Sequence, residues 1–311
     1  ILKVTAMKKM IKNLMLVAVA AMGFVACQDG VDEVVVKPQN TVSVEFTASF
    51  DETRSQFGEK VENSGYPSSW SGGEQIMLSL NEATPVIAQV ESEGATANFT
   101  ATLTDDNNTD DNNTEGVIYA FSPLGTYDSS TKISTAGFTG INQTYKDAYV
   151  YVLENQKPLA NSCDEGAHLL AAKYLYTGGI PSSVELTFVP VAAFGKMTIT
   201  DFEGEIASVS LTALKAIVGN AYYYYNDEAT EENPNLKASG SAKTITLDAT
   251  NVENNVFWFG CIPANLSGGS LKVVITDTEE NTYTKNIDLT GKGLTFKQGR
   301  VANFAVSFKD I

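Results

Sequence analysis

Few residues in this chain have the types and spacing that a reaction requires. His168 is the only histidine, and Cys163 precedes it by five residues. A thiol and an imidazole can serve as nucleophile and base when a third group orients the base. No orienting residue stands out around them, so His168 reads as a structural histidine. One histidine with Cys163 and Cys261 is also too small a set for a zinc site. The densest run of oxygen ligands is Asp105–Glu115, DDNNTDDNNTE. A calcium loop of the EF-hand type needs a glycine at its sixth position and a bidentate acid at its twelfth. Counted from Asp106, those positions hold Asp111 and Val117, so the run reads as a solvated hairpin loop. Acids number 37, too many for any pair to mark a glycosidase cleft. No glycine-rich phosphate loop precedes a helix. The expectation is a chain with no catalytic residue, no metal and no cofactor, and an acidic secreted hydrolase is the remotest alternative.

The third cysteine has a different setting. Met7-Lys8-Lys9 reads as a true start, preceded by Ile1–Ala6, and opens a basic segment followed by an apolar run from Leu14 to Ala26. That run is shorter than the roughly 20 residues a spanning helix needs and suits a signal peptide, residues 1–26. It ends Phe24-Val25-Ala26-Cys27, which resembles the lipobox of bacterial lipoproteins, with phenylalanine where leucine is usual. The resemblance implies a diacylglyceryl thioether on Cys27 and an anchor in the outer membrane. Asp29, Asp32 and Glu33 resemble the acidic export tag of surface lipoproteins in Bacteroidetes. Residues 27–40 then form a tether. Cys163 and Cys261 read as two buried free thiols in separate domains.

The elements that follow are strands. Thr41–Phe50, TVSVEFTASF, alternates Val42, Val44, Phe46, Ala48 and Phe50 with Ser43, Glu45, Thr47 and Ser49, the period of a strand with one buried face. Arg54, one of two arginines in the chain, comes next, ahead of the Gly/Ser-rich stretch 55–70. Further strands are expected at Gln75–Leu80, Pro85–Val90, Ala97–Leu103, Gly116–Phe121, Ala148–Leu153 and Val184–Phe188. Beyond Gly178-Gly179-Ile180-Pro181, others are expected at Lys196–Thr200, Ile206–Leu211, Thr244–Leu247, Val256–Ile262, Leu271–Thr276, Tyr283–Leu289 and Val301–Phe308. In the last of these Ala302, Phe304, Val306 and Phe308 share a face. The one helical candidate is Glu165–Lys173, EGAHLLAAK. The pattern predicts an all-β protein of two antiparallel β-sandwiches, residues 41–180 and 181–311, joined at the Gly-Gly pair.

The net charge of −16 deepens once the first 26 residues, which hold Lys3, Lys8, Lys9 and Lys12 and no acid, are removed. A surface this acidic excludes nucleic acid as a partner, because affinity for phosphate backbones comes from Lys and Arg. Asn220–Asn226, NAYYYYN, concentrates four tyrosines. Exposed tyrosines bind sugars and proteins well, but in a strand two of the four face the core.

The landmarks form an ordered series. It runs from VEFTASFDETRS at Val44 through Trp70-Ser71-Gly72-Gly73-Glu74, Tyr119-Ala120-Phe121-Ser122-Pro123, Gln156-Lys157-Pro158, Ala167–Lys173 and Val184–Phe188. It closes with Phe259–Pro263 and Gly299-Arg300-Val301-Ala302-Asn303-Phe304. This series resembles the fimbrillin family, the type V pilins and related surface lipoproteins of Bacteroidetes, over nearly all of the mature chain. Glu74 and His168 stand where the family commonly has aspartates. The resemblance implies two transthyretin-like sandwiches in tandem, a cell-surface fimbrium, other fimbrial subunits as partners, and assembly by strand exchange. On that scheme a protease cuts between Arg54 and Ser55, the strand carrying Val42, Val44, Phe46 and Phe50 is lost, and a neighbour's strand replaces it. Ala302, Phe304, Val306 and Phe308 mark the candidate donor strand. Arg54 reads equally well as a solvated loop arginine. The competing reading from the binding class is a monomeric surface lipoprotein that captures a glycan or host protein, with Tyr222–Tyr225 as its contact.

Overall fold

The computed structural model describes residues 40–50, 69–70, 72–81, 84–105, 115–125, 127–128, 133–134, 137–142, 147–224 and 233–309. Their regular structure is strand throughout, apart from one 3₁₀ turn at Glu165–Ala167. No helix among them is long and apolar enough to cross a membrane.

Seven strands form one sheet in the order Val86–Gln89, Gln75–Leu80, Glu115–Ser122, Leu170–Thr177, Ser183–Pro190, Asn40–Phe50 and Thr96–Asp105. The joint between Leu170–Thr177 and Ser183–Pro190 has only two paired positions, Leu170 with Pro190 and Ala171 with Val189, so the sheet turns a corner there. At its far ends the Glu91 N–H donates to the Asn98 carbonyl at 3.1 Å. The two halves enclose a core of side chains that includes Phe46, Trp70, Leu78, Phe99, Ile118 and Phe188.

A larger core lies among the remaining sheets. These are Ala193–Thr200 between Val256–Cys261 and Val301–Ser307, the five-stranded sheet built on Ile206–Ala213, Thr244–Asp248, Ser270–Asp277 and Thr282–Asp288, and the sheet holding Gly137–Asn142, Asp147–Val152 and Gly219–Tyr224. The strands Gln75–Leu80, Glu115–Ser122 and Leu170–Thr177 serve both cores. Leu78, Ala120, Leu170 and Ala172 point into the first, whereas Met77, Tyr119, Phe121 and Ala171 point into the second.

That sharing bears on three expectations. The strand pairing does not follow the boundary at 180/181: Ser183–Pro190 belongs to the first sheet, and Phe138, Val150 and Val152 pack with the later half. Cys163 and Cys261 are both buried and free, as expected, but in one and the same core. The helix expected at Glu165–Lys173 is a single turn, capped by Asp164 accepting from the Gly166 N–H at 2.9 Å, and Leu170–Thr177 is a strand. Ala167 to Ala172 are all buried. A strand covered on both faces presents an unbroken apolar run that imitates a buried helix.

Gln156 of the Gln-Lys-Pro motif has a visible task. Its side-chain amide donates to the Gly260 carbonyl at 2.7 Å and to the Leu153 carbonyl at 2.9 Å, and its oxygen accepts from the Gly260 N–H at 2.9 Å. One buried side chain thus satisfies backbone groups that no neighbouring strand reaches.

Candidate functional site

The first strand, Asn40–Phe50, has partners on both edges. It runs antiparallel to Thr96–Asp105, with Phe46 opposite Phe99, and parallel to Ser183–Pro190, with Phe46 opposite Val184. Its register with Thr96–Asp105 is unbroken from Asn40 to Ser49. Val44, Phe46 and Ala48 are buried, and Val42 and Phe50 are partly buried against the same core. The Phe46 ring stacks on Phe99 with centroids 5.0 Å apart and planes 8° apart. Phe50 lies 4.6 Å from Trp70, which meets Phe188 edge-on at 5.2 Å. All five apolar residues of the alternating face therefore lie against this core, between walls supplied by Thr96–Asp105 and Ser183–Pro190. The alternation of Ala97, Phe99, Ala101 and Leu103 signals one wall in sequence. Nothing local signals that it pairs with the first strand.

Without this strand, two sheet edges with unpaired N–H and C=O groups would flank an apolar trough. Such a trough accepts another strand of the same alternation, because main-chain bonds give affinity and alternate side chains give register. Cys27, Arg54 and Ser55 lie outside the described residues.

The last strand, Val301–Ser307, is an edge strand, parallel to Ala193–Thr200. Val306 and Phe308 are buried, and Ala302 and Phe304 are half-buried against the second core. Their common face is as expected. Asp201 fastens the end of this strand by accepting from Ser307 Oγ at 2.6 Å and from Thr200 Oγ1 at 3.1 Å, bonds that hold its carboxyl below the usual range.

Cys163 and His168 are both fully buried. Burial pushes the Cys163 thiol up, with Asp164 adding to the shift, and lowers the His168 imidazole to about 3. His168 stacks on Phe194 at 5.2 Å, in keeping with a structural role. It shares the lining of a cavity of about 370 Å³ with Glu74. Among the described residues no group of three His, Cys, Asp or Glu is placed to hold a metal ion. Residues 106–114 of the acid-rich loop lie outside the description.

The buried imidazole gives the fold a pH dependence. Its folded pKa lies below the unfolded value of 6.5, so the unfolded chain takes up a proton that the folded chain refuses. Stability is complete above pH 6.5 and declines as pH falls toward 3. Urea unfolding is expected to show a loss of about 2 kcal/mol between pH 6.5 and 5, above the range of ordinary carboxylates. His168→Phe is expected to flatten that segment, and an equal slope in the variant would assign the dependence elsewhere.

No family model matches the chain, and no curated protein sequence matches it. Solved structures do match. A candidate cell adhesion protein from Bacteroides uniformis is 14% identical with a TM-score of 0.50, over 86% of this chain and 93% of that one. Another from Bacteroides ovatus is 11% identical with a TM-score of 0.52, over 88% and 94%. At these identities the likeness is one of fold. The chain has the all-β fold of these Bacteroides proteins along most of its length.

Proposed function

We propose that the chain is a structural subunit of a surface fimbrium, exported as a lipoprotein through Cys27 and assembled by strand exchange after cleavage between Arg54 and Ser55. The observation that carries this reading is the first strand. It is an interior strand whose apolar face fills a core, it is the first of the described strands, and Arg54 follows it in the sequence. A segment with that placement can leave as one piece and be replaced by one piece. The last strand has the same alternation and an open edge, which suits it as donor. The fold shared with candidate adhesion proteins of Bacteroides is in keeping with a role at the cell surface and in adhesion. Partners on this reading are further fimbrial subunits, and the outer membrane through the lipid.

Limited digestion of the purified precursor with a trypsin-like protease is expected to cut after Arg54 and yield ladders that resist SDS. Arg54→Ala is expected to fold and reach the surface but to form no ladder, since a loop substitution costs little stability. Ladders of normal length from Arg54→Ala would show that the switch lies elsewhere.

A further inference from the structure

The tyrosine run is only half of the surface it belongs to. In Gly219–Tyr224, Ala221 and Tyr223 face the second core, and Tyr223 meets Phe121 and Phe138 edge-on. Asn220, Tyr222 and Tyr224 therefore face outward. On the neighbouring strand Ala148, Val150 and Val152 face the core, which turns Tyr149 and Tyr151 to the same outer side. The register sets Gly140, Tyr149, Tyr222 and Lys237 in one line across four strands. Tyr149 is 39% exposed. Its ring lies 5.5 Å from Tyr222, which lies 6.4 Å from Tyr224, with tilts of 57° and 55° that make a creased surface. Gly140 leaves the outer end of the line without a side chain. Lys237 Nζ sits 5.3 Å over Tyr224 at the other side. The Tyr151 hydroxyl donates to Glu154 Oε1 at 3.1 Å; burial first, and then that carboxylate, push its pKa up to about 12.

We infer that this face binds an uncharged saccharide. Apolar C–H faces of sugar rings match tyrosine faces, and sugar hydroxyls match the donors and acceptors around them, here Asn220, Glu154, Lys237 and the phenol groups. Charge selects the occupant. The chain carries −16, yet the described charges open to solvent at this face are one cation, Lys237, over Tyr224, and one anion, Glu154, bonded to Tyr151, while Asp147 beside them is buried. The protein's field repels polyanions, and Lys237 already covers the Tyr224 ring face that a cationic ligand would use. A second copy of this chain would bring an equal negative charge, and of the rings on this face only Tyr149 is exposed and the rest are partly buried, too little apolar area for a stable dimer. A neutral polyhydroxylated ligand meets neither obstacle. This assignment stands apart from the fimbrial reading, because a monomer with the same face would bind equally.

Affinity electrophoresis of the full chain in gels containing mannan, arabinogalactan or soluble starch tests it, with heparin as the polyanion. Retardation is expected in at least one neutral gel and not with heparin. The Tyr149→Ala/Tyr222→Ala double variant is expected to bind about tenfold more weakly or worse. Asn220→Arg, at an exposed position that leaves the rings in place, is expected to block the surface without unfolding the chain. Leu175→Ala, at an exposed leucine on another sheet, is expected to change nothing. Migration unaffected by all three neutral polysaccharides overturns the proposal. So does retardation that survives both the double variant and Asn220→Arg. Retardation by heparin alone, or a dimer that the double variant dissolves, assigns the face to an anion or to a second copy and equally overturns it.

Discussion

Phe46→Ala is expected to lower the unfolding free energy by about 3–5 kcal/mol, the usual range for truncating a buried phenylalanine. The ring is 2% exposed, lies flat on Phe99, and sits in a strand paired on both edges, so no neighbour can swing in to fill the space. The cost combines lost burial with an unrelaxed cavity. Thr47→Ala, on the opposite face of the same strand, is expected to change stability by no more than about 0.5 kcal/mol. Urea denaturation of the two variants measures the difference. The consequence for assembly is separable. In protein nicked after Arg54, the Phe46→Ala strand should exchange faster with an added peptide of the wild-type sequence 40–50, because its hold on the trough is weaker. Equal stability of Phe46→Ala and Thr47→Ala would mean that the first strand does not occupy this trough.

Gly260→Ala is the second large effect. A methyl group at Gly260 would stand 2.5 Å from the Ala167 carbonyl oxygen and 2.9 Å from the Ala167 Cβ, and the first of these is backbone that cannot rotate away. Relief requires the segment around the 3₁₀ turn to move off Val256–Cys261. That shift would pull at the Gln156 amide, which holds both the Gly260 N–H and carbonyl. Overpacking costs about 1–3 kcal/mol, and each buried backbone group left unpaired about 1–3 kcal/mol more. A loss of at least about 3 kcal/mol is expected by thermal or urea unfolding. Combining Gly260→Ala with Gln156→Ala should cost less than the two losses added, because both break the same bonds. Strict additivity would show that the methyl group acts without disturbing Gln156.

The period of two in Val42–Phe50, in Ala97–Leu103 and in Ala302–Phe308 is a local property of the chain, and it determined by itself that these are strands and which side chains turn inward. Composition likewise carried the expectation of no nucleic-acid partner, since charge needs no fold to be counted. Pairing is different. That the first strand lies between Thr96–Asp105 and Ser183–Pro190 depends on which edges meet across long stretches of chain, and an alternating strand fits many edges equally. The tertiary structure also decided the fate of Ala167–Ala172. Leu169 and Ala171 turn into one core and Leu170 and Ala172 into the other, so both faces are apolar there and the periodicity that separates strand from helix disappears. The same sharing carries Ser183–Pro190 past the Gly178-Gly179 pair and brings Cys163 and Cys261 into one interior. The tyrosines show both sides of the matter. The run at Tyr222 is plain in sequence, but Tyr149 and Tyr151 join it only because hydrogen bonding between Asp147–Val152 and Gly219–Tyr224 sets their outer faces side by side.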